Sequence, residues 1–293
     1  ATKEFDLSKD KIKESADKVE ALLHLDSSRL YFYYYMLRYT QYFADDDISN
    51  RERICKNAIE YFNALPFKHE LAQNVFLFYL VDIYLENKEL AKAELIIKSF
   101  LEETNNKSHQ YYRFKELLFR VYLFQGRIDK VNEIYEYLKA NIKKMEFVFS
   151  KDRLLIYSIY KGLLNNEKIN FRLINYNINR VKQDKKGLHI PLLIGQVCYT
   201  FIHEPDKLID KIESLEQYAY RYLTDEKHIR TKEFIKVLIG RLTNIDVNPE
   251  SISKFNPSVS SNSLEMIEYE KLMTLTLKLA EEKKKLKLDE VLG

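Results

Sequence analysis

The sequence predicts an all-α protein, an α-α solenoid of about five or six stacked helical hairpins. Two observations favour this fold class. The 293 residues include only 6 Gly and 5 Pro, so the closely spaced tight turns of a β-sandwich or β-barrel are missing. Apolar residues also recur in a unit of about forty residues, and hairpins that cannot bury an apolar face alone bury it by stacking.

The repeat is clearest between residues 80–101 and 118–138. At an offset of 38, both stretches read as an apolar helix, a short polar turn and a second helix. The matching positions are Leu80/Leu118, Val81/Phe119, Ile83/Val121, Tyr84/Tyr122, Leu90/Ile128 and Ile96/Ile134. The pattern continues toward both ends with less fidelity, so four or five copies are recognisable.

Residues that favour turns separate the predicted helices. Gly126 tolerates the left-handed conformation that ends many helices, and Asn87 is assigned to the equivalent site one repeat earlier. Ser49 is the predicted N-cap of the helix that ends before Pro66, and Pro205 favours a helix start. The predicted helices cover residues 8–24, 29–43, 49–64, 69–86, 89–103, 108–124, 128–142, 146–164, 168–182, 189–203, 206–223 and 227–243.

Composition divides the chain into three predicted parts. Residues 1–244 form the helical-repeat domain. Asn, Pro and Ser dominate residues 245–263, a composition typical of a linker or mobile loop. Residues 264–293 contain a final helix, over about 264–288, which caps the last hairpin or connects to a further segment.

The repeat spacing of 38 to 41 residues, with its small or apolar positions in each hairpin, resembles the tetratricopeptide class of helical repeats. The stretches 194–197, 209–223 and 230–235 also resemble an uncharacterised family of bacterial helical-repeat proteins. These resemblances imply stacked hairpins in a cytoplasmic bacterial protein. They imply no activity.

Motifs for catalysis or cofactor binding are missing from the sequence. The six glycines never cluster, so neither a P-loop nor a dinucleotide fingerprint is present. No His stands three or four residues from another His or Cys, the spacing that puts two metal ligands on one helical face. Cys55 and Cys198 lie among apolar residues and are predicted to be buried free thiols. We therefore expect a non-enzymatic protein without cofactor or metal.

Charge and hydropathy narrow the class of partner. A net charge of +3 argues against nucleic acid. Nucleic-acid binding is a weaker alternative that would use a group of basic residues: Arg172, Arg180, Lys182, Lys185 and Lys186. No run of eighteen apolar residues predicts a membrane span. We expect a cytoplasmic protein whose partner is a protein or peptide.

The first helix of each hairpin lines the concave surface of tetratricopeptide-like stacks, and the resemblance therefore implies that these helices bind the partner. Their polar and aromatic candidates are Tyr34, Arg38, Tyr79, Asp82, Tyr112, Arg113, Arg120, Arg153, Tyr157 and Lys161. The alternative interpretation is packing between helices for the Tyr residues and solvation for the Arg residues. Farther along, Arg230 and Lys232 either meet an acidic partner or form a solvated face.

The leading function hypothesis is a scaffold that holds a peptide or helix of another protein in its concave groove. The alternative is a ligand- or peptide-sensing regulatory module of a larger bacterial protein. That alternative is motivated by Ala1, which stands where an initiator Met would be expected.

Overall fold

The computed structural model describes residues 9–67, 69–145, 151–167, 169, 189–224, 228–246 and 265–292. Within these ranges the chain is all-helical without strands, which confirms the predicted all-α class. The helices are α1 (Lys9–Glu20), α2 (Ser28–Ala44), α3 (Ile48–Ala64), α4 (Glu70–Glu86), α5 (Leu90–Glu103), α6 (His109–Gln125), α7 (Ile128–Ala140), α8 (Lys151–Asn165), α9 (His189–His203), α10 (Leu208–Tyr222), α11 (Ile229–Thr243) and α12 (Tyr269–Leu292).

The helices form two compact units, Ala1–Glu103 (unit 1) and Thr104–Gly293 (unit 2). Within unit 1, each of α1 to α4 packs against the helix that follows it. Within unit 2, α6 to α11 do the same, whereas α12 returns to pack on α8, α9 and α11. Gly195 lets α8 and α9 approach closely, because a Cβ at this position would lie 2.8 Å from Ile159 Cγ2.

Helix α3 shows how the apolar pattern produces this packing. Its buried apolar residues recur at three- and four-residue spacing and so share one face: Ile54, Cys55, Ala58 and Phe62. Asp47 caps the helix by accepting a 3.0 Å hydrogen bond from the Asn50 N–H. The prediction that Ser49 is the cap is wrong, because the helix already begins at Ile48.

Four of the described helices end in the same turn. A residue with positive φ follows each of α2, α4, α6 and α8, and these residues stand 42, 38 and 40 positions apart: Asp46, Lys88, Gly126 and Asn166. Each donates its N–H to the carbonyl three residues back, and the next N–H donates to the carbonyl five residues back. These paired hydrogen bonds, 2.8–3.3 Å long, define the Schellman motif.

The turns confirm one predicted helix end and correct another. Gly126 adopts the left-handed conformation, with φ +71°, as its position in the sequence predicted. At the turn after α4 the left-handed residue is Lys88 rather than Asn87, whose φ is −82°. The prediction for Asn87 is therefore wrong by one residue.

The C-terminal part of the chain agrees with the predicted final helix, with shifted bounds. Helix α12 begins at Tyr269, five residues later than expected, and ends at Leu292. None of the described helices is both long and apolar enough to cross a bilayer. Apart from Ile169, the predicted helix over 168–182 lies outside the described residues, as does most of the predicted linker over 245–263.

Candidate functional site on the first helices

We use "first helices" for α2 and α4 in unit 1 and for α6, α8 and α9 in unit 2. Within each unit these helices contact one another directly. In unit 1 the ring of Tyr39 in α2 stacks on that of Tyr79 in α4, with centroids 4.2 Å apart. In unit 2 the Tyr160 hydroxyl of α8 donates a 2.8 Å hydrogen bond to the Pro191 carbonyl of α9.

Tyr34 and Arg38, two of the predicted binding residues, lie at the contact between α1 and α2. The Arg38 guanidinium donates to Asp17 at 2.8 Å and also hydrogen-bonds Glu20. It lies 5.7 Å from the centroid of the Tyr34 ring, whose hydroxyl donates to Glu20 at 3.3 Å. Arg38 therefore forms ion pairs with two acidic residues of α1 within unit 1.

Tyr79 and Asp82 are half-buried on α4. Close to Tyr79 lies a buried basic side chain, Arg51, which was not among the predicted residues. Arg51 of α3 donates to Glu86 at 2.7 Å and to the Tyr39 hydroxyl at 3.2 Å, and its guanidinium lies 4.8 Å from the Phe43 ring centroid. Burial is the main reason why the pKa of Tyr39 is raised well above its usual value.

In unit 2, three predicted residues gather around a buried carboxylate that was not predicted. Glu116 of α6 accepts hydrogen bonds of 2.8 Å from Arg153 and from the Tyr157 hydroxyl, both on α8. Tyr157 is fully buried, and desolvation, followed by the Glu116 charge, raises its pKa well above its usual value. Arg120 and Arg153 both oppose that rise, which places their positive charges close to the same site.

The remaining predicted residues are spread along α6 and α8. Tyr112 is buried, with its ring 6.4 Å from that of Tyr137, and Arg113 is half-buried nearby on the same helix. Lys161 pairs with Glu167 at 2.9 Å. Its ammonium lies 5.5 Å from the Tyr135 ring centroid.

The candidate residues therefore differ in how accessible they are to a partner. Tyr112 and Tyr157 serve the packing of helices, which favours the packing interpretation for these two residues. Arg153 combines a structural contact with access, since 42% of its side chain remains exposed beside Glu116. The structure brings Arg120, Arg153 and Tyr157 together, while Tyr34 and Arg38 form a separate group in unit 1.

Both cysteines and two of the histidines, His189 and His203, contact other side chains of the fold or are buried in it. Cys55 and Cys198 are buried free thiols, as predicted, and burial raises the pKa of each to about 12. His189 is buried against the Tyr218 ring, and His203 Nδ1 lies 3.0 Å from Lys283 Nζ. In the described part of the chain, no three His, Cys, Asp or Glu side chains gather in a way that could hold a metal ion.

Helix α12 covers part of the first helices of unit 2. It packs on α9 and α8, and the Lys271 ammonium donates to the Phe124 carbonyl at the end of α6, at 3.2 Å. It also meets α11, and Glu265, four residues before the start of α12, pairs with Arg230 of α11 at 3.1 Å. Arg230 thus has an acidic partner within the chain and is buried, so it does not belong to a solvated face.

Comparisons with protein-family models, with curated proteins and with solved structures found no match to this chain.

Proposed function

We propose that this chain is a tetratricopeptide-like solenoid that binds a peptide or helix of a protein partner on its first helices, without catalysis. The observation that carries the proposal is the recurrence of one Schellman turn after α2, α4, α6 and α8, at 42-, 38- and 40-residue spacing. A regular closing turn after each first helix supports a repeating hairpin. Stacked hairpins offer an extended binding surface.

Contacts between first helices within each unit support the same proposal. In unit 1 Tyr39 meets Tyr79, and in unit 2 Glu116 meets Tyr157 and Tyr160 meets Pro191, so first helices lie side by side within each unit. Within a unit, such a row presents side chains from more than one helix to a ligand. Buried free thiols also fit our expectation of a cytoplasmic, reducing environment.

The most suitable contact group on this surface is the exposed part of Arg153, with Arg120 nearby. Glu116 holds the Arg153 guanidinium in place, and 42% of this side chain remains exposed, so a partner carboxylate can approach its positive charge. Because Glu116 holds the side chain in place, less rotamer entropy is lost on binding. We therefore expect the partner to present an acidic side chain at this position.

The test is affinity capture from bacterial cytosol with the parent protein, Arg153→Gln and Lys130→Gln. Lys130 is the matched control, since it also pairs with a glutamate but lies on α7, outside the first helices. We expect one protein to be retained by the parent and by Lys130→Gln, and retained at least several-fold less by Arg153→Gln. Equal capture by both variants would show that this group of α6 and α8 is not the binding surface.

A further inference from the structure

Helix α12 is attached to unit 2 by a short series of regularly spaced side chains. Tyr269, Leu272, Thr276 and Leu279 follow at intervals of three and four residues and are all buried. This is the a/d spacing by which a helix lays one stripe against neighbouring helices. Its other faces carry exposed charged residues, including Glu270, Lys271, Lys278, Glu281 and Glu282.

The N-terminal end of this stripe is recognised by three kinds of contact. Glu265, which precedes the helix and is 0% exposed, pairs with Arg230 of α11 and accepts a 2.9 Å hydrogen bond from the Tyr269 N–H. The Tyr269 ring stacks on Phe234 with centroids 3.9 Å apart. The Tyr269 hydroxyl shares a 2.9 Å hydrogen bond with Thr231. Unit 2 thus contacts an acidic residue and an aromatic residue four positions later at the same place.

The middle and the end of α12 contact other helices. The Thr276 hydroxyl donates a 2.7 Å hydrogen bond to the Leu272 carbonyl, and its proximity to the Cys198 thiol of α9 partly offsets the rise that burial causes in the pKa of that thiol. Farther on, Lys283 meets His203 at the end of α9. Near its start, Lys271 donates to the Phe124 carbonyl at the end of α6. The contacts of α12 therefore extend over α6, α8, α9 and α11.

Such contacts are those of a helical ligand in a groove, where side chains at i, i+3 and i+7 anchor an amphipathic helix. The groove is formed by α8, α9 and α11 and includes the Phe124 carbonyl at the end of α6. The occupant is covalently attached, so its effective concentration is in the millimolar range or above. A partner with the same anchors must compete with it.

We propose that α12 is an internal ligand of unit 2, and that its place is taken by a partner helix with the same anchors. These anchors are an acidic residue, an aromatic residue four positions later, and apolar or small residues at positions equivalent to Leu272, Thr276 and Leu279. The proposal rests on the function proposed above and adds the chemistry and regulation of its binding surface. Arg230 selects the acid, and Phe234 with Thr231 selects a tyrosine.

The test uses the full chain and a fluorescein-labelled synthetic peptide with the sequence of residues 265–286. Leu272→Ala removes one buried anchor from α12 and weakens its attachment within the chain. We expect this variant to bind the peptide at least about tenfold more tightly than the parent, by fluorescence anisotropy, because the internal competitor is weaker. A peptide with Asp in place of its Leu272 equivalent should not bind.

A reversible disulfide between α12 and α9 provides the second measurement. Thr276→Cys places a thiol beside Cys198, and oxidation should join α12 to α9. In the Leu272→Ala/Thr276→Cys chain, we expect oxidation to abolish peptide binding and reduction to restore it. The matched control carries Cys198→Ser in addition and should bind the peptide equally in both redox states.

Three outcomes would overturn the inference. The first is a folded Leu272→Ala chain, judged by circular dichroism, that does not bind the peptide. The second is cooperative loss of unit 2 in that variant, which would make α12 an ordinary core helix. The third is dimerisation in place of peptide binding, which would identify α12 of a second copy as the occupant. None of these depends on the capture experiment with Arg153→Gln, so the two proposals can fail separately.

Discussion

Glu116 of α6 accepts a hydrogen bond from Arg153 and another from Tyr157, both on α8, so one carboxylate joins two first helices of unit 2. The carboxylate is almost fully buried, whereas Arg153 keeps access to solvent. The residue that fixes the arginine is therefore a positioning residue for the proposed binding group. Its removal should affect both stability and capture of the partner.

Glu116→Ala should lower the free energy of unfolding by about 1–3 kcal/mol, because the buried Tyr157 hydroxyl loses its acceptor. Urea denaturation followed by circular dichroism measures the change. Glu133→Ala is the control, since Glu133 forms an exposed pair with Lys130 and should change stability by less than about 0.5 kcal/mol. Equal midpoints for the two variants would contradict this role of Glu116.

Arg51→Ala should destabilise unit 1 by about 3 kcal/mol, because it removes the buried partner of Glu86 and Tyr39. Arg53 is exposed on the same helix, and Arg53→Ala should stay within about 0.5 kcal/mol of the parent. Thermal unfolding of both variants is the measurement. A similar melting temperature for both would show that the Arg51 contacts add no net stability.

The Schellman turns predict opposite effects for two substitutions at equivalent positions. Gly126→Ala should cost about 1 kcal/mol, because φ is +71° there and a Cβ disfavours that region. Lys88→Gly should stabilise unit 1 by about 0.5–1 kcal/mol, since it relieves the same penalty at φ +60°. Chemical denaturation tests both changes. Lys56→Gly, in the interior of α3, should destabilise by about 1 kcal/mol and controls for the entropy of glycine.

The buried thiols predict a dependence on alkaline pH. Burial raises the pKa of Cys55 and Cys198 to about 12, while an unfolded thiol titrates near 8.5. The unfolded chain therefore loses these protons first. The stabilising difference is complete below about pH 8.5 and is lost as pH rises toward 12. We expect the urea midpoint to fall between pH 8.5 and 11.

Tyrosines also contribute to that fall, because burial raises the pKa of Tyr35 and Tyr137 to about 12 as well. Cys55→Ala/Cys198→Ala should therefore reduce the slope without removing it. Thiol labelling gives an independent measurement. At pH 8 the native chain should react with Ellman's reagent at least about 100-fold more slowly than the urea-unfolded chain, because buried thiols react as thiolates only after opening. Rapid native labelling would show an accessible thiol.

The sequence predicted the described helices well, because long segments with helical periodicity specify their own conformation. Lys88 could not be predicted as a left-handed residue, since lysine has no local preference for it and the turn imposes it. Arg51 did carry a signal: it precedes Cys55, Ala58 and Phe62 by four, seven and eleven residues, so it shares their buried face. A charged residue within the apolar stripe of a helix indicates a buried ion pair or hydrogen bond.

The binding candidates were harder to predict, because α6 and α8 are apolar on more than one side. Periodicity identifies a single buried face, and it cannot separate an exposed tyrosine from one between two first helices. Tyr157 illustrates this, since its surroundings depend on Glu116, 41 residues earlier. The attachment of α12 to Arg230 was likewise hidden, because residues 35 apart in the sequence pair only in the folded unit.

The recurring turn after α2, α4, α6 and α8 has an evolutionary consequence. Each turn is held by the same pair of backbone hydrogen bonds, whichever side chain occupies its left-handed position. Duplication or deletion of the segment between two such turns would leave the backbone geometry of the flanking turns unchanged. Lineages that carry this chain should therefore differ in length by whole hairpins of about forty residues more often than by shorter insertions.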